Sequence, residues 1–307
     1  MIRKIIKLFV AIMFAIVLVG CQSQKPEQTA KGKRIVTSFF PVYAMTKMVS
    51  GDLNEVKMIQ SGAGIHGFEP SPTDVAAIYN ADVFIYHSKV LESWAADLAN
   101  QADTNNHQVH FLEASKDLPL DRVEGLEDVP VIEGVDEKSL YDPHTWTDPI
   151  LVGKETQAIA DYLSQIDPDH RKTYQENAKK VIKQTEELTE KYQKKFAEVA
   201  QKEFVTQHTA FSYLAKRFGL SQLGIAGVSE EEPNTRQLAE IVDFVKTYKV
   251  KTIFTESSVS PKLAKVVADA TGAKIKTLSP LEADPKDDQN YLEHLETNLA
   301  ILYRELH

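Results

Sequence analysis

PDHRKTYQENAKKVIKQTEELTEKYQKKFAEVAQ, from Pro168 to Gln201, is the stretch that decides how this chain is organised. Asp167 ahead of it is a residue type that caps helices, Pro168 suits a first turn, and neither Gly nor Pro recurs until Gly219. Tyr174, Val181, Ile182, Leu188, Tyr192, Phe196 and Val199 recur at spacings that place one apolar stripe on one helical face. Some 34 residues at 1.5 Å each span about 50 Å, longer than one ordinary domain needs. The stripe lacks the sustained heptads of a dimerising coiled coil. The spacing therefore predicts a rigid strut over 167–201 between two lobes, 34–166 and 202–307.

On both sides of the strut, short β-rich runs alternate with helical patterns, which predicts parallel sheets built from βα units. In the first part the runs are Arg34–Phe39, Glu55–Ile59, Asp82–His87 and Gln108–Leu112; in the second, Glu203–Gln207, Lys251–Thr255 and Lys274–Leu278. Pro41–Ser50 reads as a helix, as does Pro72–Asn80 with Ser71 as its cap. Residues 121–141 are acidic and aperiodic and read as a surface loop.

The N-terminus carries an address. Arg3, Lys4 and Lys7 precede thirteen uncharged residues, Leu8 to Gly20, too short for a spanning helix and right for the apolar core of a secretory signal. The run ends Leu18-Val19-Gly20-Cys21, and Cys21 is the chain's one cysteine, so no internal disulfide is available. This resembles the bacterial lipoprotein signal, in which the cysteine is lipidated and becomes the first mature residue. Residues 1–20 are then the signal and 21–33 a polar, flexible tether. Removing the signal takes the net charge from −9 to about −12 (32 − 44), an acidic balance that argues against nucleic-acid partners.

Four loops hold candidate metal ligands. His66 follows Gly62 and Gly64, which allow a sharp turn into a cleft; His144 lies between two Asp-Pro steps, Asp142-Pro143 and Asp148-Pro149. His208 follows a predicted strand, and Glu282 follows the last one. In α/β sheets ligands bind beyond the carboxyl ends of strands, so two residues from each lobe can converge there. Three imidazoles and a carboxylate make a closed tetrahedral set suited to Zn²⁺, leaving no open position for a reactive water. Binding and transport are favoured over catalysis, and no His-Glu-x-x-His helix motif is present. Glu256 and Asp284 are alternatives for the carboxylate, with Glu256 equally placed to orient an imidazole. His87 reads as a buried, hydrogen-bonded residue, His107 and His110 as exposed, and His170, His294 and His307 as inert surface positions.

The lipobox at Cys21 and the runs His66-Gly67-Phe68-Glu69-Pro70-Ser71-Pro72, Asp142-Pro143-His144-Thr145-Trp146-Thr147-Asp148-Pro149 and His208-Thr209-Ala210-Phe211-Ser212-Tyr213-Leu214-Ala215 together resemble the metal-binding lipoproteins of ABC importers. The likeness runs from about Arg34 to the C-terminus and looks nearest to the zinc-binding, laminin-binding lipoproteins of streptococci. It implies two α/β lobes joined by one long helix, with a metal between them. It also implies His66, His144, His208 and Glu282 as zinc ligands, with histidine and glutamate at the two positions where manganese binders usually carry glutamate and aspartate. By the same resemblance the protein is a monomer, lipid-anchored on the extracellular face, that passes zinc to an ABC permease. A manganese or iron receptor, and a laminin-binding adhesin with a structural zinc, are the alternatives. The segment 121–141 lacks the histidines of the metal-capturing loop that many zinc members carry.

Overall fold

In the computed structural model, residues 32–60, 62, 64–105, 107–123, 140–257 and 259–307 are described. The signal, Cys21, nearly all of the tether and most of the acidic loop lie outside them. No helix among the described residues is long and apolar enough to cross a membrane.

The first sheet consists of β1 (Arg34–Thr37), β2 (Glu55–Met58), β3 (Val83–Tyr86) and β4 (His110–Glu113) in the order β2-β1-β3-β4, all parallel. The second consists of β5 (Glu203–His208), β6 (Ser221–Ala226), β7 (Thr252–Thr255) and β8 (Lys274–Thr277) in the order β6-β5-β7-β8, again all parallel. The two share one topology, with the chain reversing direction across the sheet between β1 and β3 and between β5 and β7. Such switch points open a crevice at the strands' carboxyl ends. The central strand β3, Val-Phe-Ile-Tyr, is buried on both faces, as a parallel strand covered by helices should be.

The helices are α1 (Phe40–Ser50), α2 (Pro72–Tyr79), α3 (Ser93–Thr104), α4 (Pro149–Ile166), α5 (Arg171–Ala197), α6 (Ser212–Arg217), α7 (Thr235–Thr247), α8 (Lys262–Thr271) and α9 (Tyr291–Leu306). Their starts follow local chemistry. Ser71 and Asp74 form a reciprocal capping box at α2, Asn234 and Gln237 do so at α7, and Asn290 and Glu293 at α9. Asp148 caps α4 by accepting from the Ile150 N–H.

The strut differs from its predicted bounds of 167–201. A single 3₁₀ turn occupies Pro168–His170, and the α-helix ends at Ala197. Asp167 does not cap it: its carboxylate accepts from the Tyr174 hydroxyl at 2.6 Å and faces His170 Nδ1 at 2.8 Å. Nor is the helix a bare connector, because α5 packs against α4, α1 and α9. Its buried stripe (Tyr174, Ala178, Val181, Leu188, Tyr192, Phe196) belongs to a core that continues from Phe39 and Met45 through Trp146 and Ile159 to Phe204, Phe211 and Leu299. Each large side chain buried there stabilises by about 1.5–3 kcal/mol, so both sheets are fastened to one spine. Two smaller cores fill the outer faces, around Phe84 and Trp94 in the first lobe and Val205 and Ile253 in the second.

Strand β6 has no counterpart among the predicted runs, since Gly224 and the polar Gln222 break its β signature. Gly224 is there for want of space. A Cβ on it would lie 2.2 Å from Thr209 Oγ1, 2.6 Å from the Ala226 carbonyl and 2.7 Å from the Thr209 nitrogen, so the loop after β5 rests directly on this position.

Candidate metal centre

Each candidate ligand arrives on an element whose end is fixed. His66 sits in a 3₁₀ turn, Ile65–Gly67, entered through Gly64 at φ +89°, a left-handed conformation that glycine adopts without strain. His144 opens a second 3₁₀ turn, Thr145–Thr147, which Asp148 and Pro149 convert into α4. His208 is the last residue of β5, one place further into the strand than its sequence predicted. Glu282 follows β8 in the loop leading to α9.

These loops meet. His144 Nε2 lies 3.2 Å from His66 Nε2 and 3.3 Å from His208 Nε2. Glu282 Oε1 lies 3.5 Å from His66 Nε2, 3.5 Å from His144 Nε2 and 3.3 Å from His208 Nε2. The four side chains are at least 96% buried. A regular tetrahedron with edges of this size has its centre about 2.0–2.1 Å from each corner, which is the bonding distance of Zn²⁺ to imidazole nitrogen or carboxylate oxygen.

The surrounding hydrogen bonds fix which nitrogens face the centre. Asp142 Oδ1 accepts from the His144 backbone N–H at 2.9 Å and lies 2.7 Å from His144 Nδ1. Glu256 Oε1 lies 2.5 Å from His208 Nδ1. Each carboxylate occupies Nδ1 and turns Nε2 inward, where it offers a lone pair once its proton has left. Lone pairs at such separations repel unless a cation lies between them. Glu282 Oε1 is also buried with no well-formed hydrogen bond to occupy it. The donor set therefore fits a divalent metal with a preference for nitrogen ligands.

Protons are the competitors. At His208 burial works against the charged ring, but the hydrogen bonds with Glu256 and then Glu282 outweigh it and push the pKa up to about 10. At His144 burial again lowers the pKa, and Asp142, then Glu282, reverse it to a net rise. Burial raises Glu282, yet the three imidazoles of His144, His208 and His66 crowded against it hold its carboxyl well below the usual range.

The alternatives separate cleanly. Glu256 is the carboxylate that orients His208, and Asp284 turns away to accept from the Lys286 N–H at 3.0 Å. His87 is fully buried, with Nδ1 at 3.1 Å from Glu155 and Nε2 at 2.8 Å from the Pro143 carbonyl. His107 and His110 are exposed. The reading of His294 as an inert surface residue is corrected: it is 8% exposed, faces Asp287 at 3.1 Å and sets its ring edge-on to Phe40. Sequence reasoning missed Asp142 as the partner of His144, although its place two residues upstream was a usable signal. It also missed Trp146, whose indole reaches across to the Glu282 loop.

The profile of one protein family, described as "Zinc-uptake complex component A periplasmic", matches residues 35–305. Among curated proteins, the zinc-binding lipoprotein AdcA of Streptococcus pneumoniae is 37% identical over 310 residues. That match takes in 97% of this chain and 60% of AdcA, so the chain spans less than two thirds of that relative's length. Among solved structures, a Zn(II)-bound variant of AdcAII of Streptococcus pneumoniae is 60% identical with a TM-score of 0.85, covering 90% of this chain and 99% of that one. The laminin-binding protein Lmb of Streptococcus agalactiae, described as bifunctional with adhesin and metal-transporting activity, is 57% identical with a TM-score of 0.82, covering 90% of this chain and 100% of that one.

Proposed function

We propose, since the chain belongs to the family of zinc-uptake complex component A, that its mature form is an extracellular zinc receptor. Cys21 carries the lipid that anchors it to the membrane, and the 21–33 tether lets the body reach an ABC permease. His66, His144 and His208, each through Nε2, and Glu282 through Oε1 hold one Zn²⁺. The observation that carries this reading is the convergence of those donor atoms at 3.2–3.5 Å, with a buried carboxylate oxygen left for the ion. Harder oxygen sites suit Mn²⁺ better, and the affinity order favours zinc over manganese and iron at nitrogen ligands.

The closed ligand set has no position for an activated water, which supports binding and transfer over catalysis. With α5 packed along both lobes, release proceeds by local movement of a ligand loop, most readily the one bearing Glu282, more than by a wide swing of the lobes. Titration of the mature protein with Zn²⁺ against a competing chelator tests the reading: one tightly held ion per chain is expected, and its retention over a Mn²⁺ excess. More than one equivalent, or displacement by Mn²⁺, overturns it.

A second reading, surface adhesion with zinc in a structural role, is favoured by the 57% identity to Lmb. Binding of the zinc-loaded and zinc-stripped protein to immobilised laminin tests it.

A further inference from the structure

Trp146 is fully buried and belongs to neither the ligand set nor the carboxylates behind it. Its ring lies 4.9 Å from that of His144, 4.9 Å from that of His87 and 5.1 Å from that of Phe39, and this packing fixes its plane. From that position its indole Nε1–H donates to the Pro280 carbonyl at 2.8 Å, 134 residues along the chain and in the other lobe. Its own carbonyl accepts from the Tyr291 hydroxyl, also at 2.8 Å. A residue two places beyond His144 thus grips the loop two places before Glu282.

What it grips is a loop under strain. Leu281 has φ +60°, the left-handed region that a residue with a side chain avoids, and it is 1% exposed. Such a conformation persists only where the surroundings over-determine it. On one side Ser279 is tied to Asn298 by a pair of bonds, Ser279 N–H to Asn298 Oδ1 at 3.3 Å and Asn298 Nδ2 to the Ser279 carbonyl at 2.7 Å. Ser279 Oγ also accepts from the Leu281 N–H at 3.2 Å. On the other side stands Glu282, whose Oε1 has no well-formed hydrogen bond of its own. Between these ends, the indole bond is the one that holds the Pro280 carbonyl among the described residues.

We propose that Trp146 is the positioning residue for Glu282: by holding the Pro280 carbonyl, its indole N–H keeps Leu281 in the left-handed conformation and the carboxylate against the three imidazoles. This rests on the reading of the four residues as one zinc site. Without the bond, Leu281 relaxes toward ordinary backbone angles and the carboxylate leaves the site, while the imidazoles stay. Zinc is then held by three ligands and escapes faster.

The test is a double-mutant cycle on the zinc-loaded full chain, comparing wild type, Trp146→Phe, Glu282→Gln and the double variant by chelator-triggered zinc release. Trp146→Phe keeps one aromatic ring and removes the N–H together with the rest of the indole, and the cycle separates the loss of packing from the loss of the bond. It is expected to speed release by about 10- to 100-fold, the range found when a group that orients a metal ligand is lost. The double variant is expected to release zinc no faster than Glu282→Gln alone, since both act through the same carboxylate. A role in packing alone would make the two effects multiply, and that result, or wild-type release from Trp146→Phe, overturns the proposal. Should Trp146→Phe fail to fold, Trp146 replaced by benzothienylalanine, which keeps the two-ring shape and lacks the N–H, is measured instead; faster release that does not multiply with Glu282→Gln is expected, and wild-type release or multiplying effects again overturn the proposal. Glu282→Gln releasing zinc at the wild-type rate would overturn the zinc-site reading itself, a result distinct from a silent Trp146→Phe.

Discussion

The two lobes share a sheet topology and use it differently. In the second lobe, the switch point between β5 and β7 is chemically occupied: His208 ends one strand, Glu256 follows the other, and the two are joined at 2.5 Å. In the first lobe, the corresponding ends carry Ser38 and His87, and neither belongs to the cluster of four donors. His87 instead supports it from behind, through the Pro143 carbonyl, while Thr145 donates to the Glu155 carboxylate that His87 also meets. The first lobe therefore presents both candidate ligands on turns, and that of His144 is braced by buried charge. The second presents one on a strand end and one on a strained loop. Identical topology supplies a crevice in each lobe, and the side chains at the strand ends differ between them.

Within the site the same contrast recurs among the three imidazoles. His144 and His208 are each backed by a carboxylate, and among the described residues no carboxylate pairs with the other ring nitrogen of His66. If bracing matters, alanine at His144 or His208 weakens zinc binding by about 1,000-fold or more, and alanine at His66 by distinctly less, because removing a braced ligand also strands a buried carboxylate. Competition titration of the three variants decides this, and equal losses would show that bracing contributes nothing.

Acidity acts next. With His208 pushed up to about 10, zinc binding there should require displacing a proton throughout the neutral range, and affinity should fall about tenfold for each pH unit lowered per proton displaced. The stability of the metal-free protein moves the other way. A raised histidine pKa stabilises fully below its unfolded value of about 6.5, and that contribution is lost as pH climbs toward the folded value. The rise in melting temperature caused by zinc should therefore be larger at pH 8 than at pH 6; a constant rise would contradict the protonated pairing of His208 with Glu256 and Glu282.

The braces themselves come third. Asp142→Asn and Glu256→Gln should each lower zinc affinity by about 10- to 100-fold while preserving shape. Isothermal competition with a chelator measures both, and a silent Glu256→Gln would return that residue to a purely structural role.

The smallest effect expected is at Gly224, where alanine forces Thr209 off the β6 backbone and costs about 1–3 kcal/mol of stability, with a modest loss of zinc affinity through His208. Thermal unfolding of the metal-free variant checks it against wild type.

How much of this was legible beforehand follows the same division. Short β-rich runs and the long apolar stripe revealed seven of the eight strands among the described residues and the spine, since buried regular elements leave a local mark in residue type and spacing. β6 was lost because its central glycine answers a tertiary contact with Thr209, which no local pattern announces. The three histidines were visible from their turns and strand ends. For the carboxylate, position beyond a strand left Glu256 and Asp284 as runners-up and the resemblance favoured Glu282; the backbone path puts Glu282 in the donor cluster, Glu256 behind His208 and Asp284 on a turn. His294 was misread for a similar reason: a histidine on an amphipathic helix looks exposed until the opposing Phe40 is known. Trp146 and the left-handed Leu281 were invisible, because their partners lie in the other lobe or in the backbone itself.

The most direct test is a crystal structure of the zinc-loaded protein with anomalous diffraction at the zinc edge. A single peak about 2.0–2.2 Å from His66 Nε2, His144 Nε2, His208 Nε2 and Glu282 Oε1 is the expected result. A peak elsewhere, or one from which any of the three imidazoles stands beyond bonding distance, would contradict it.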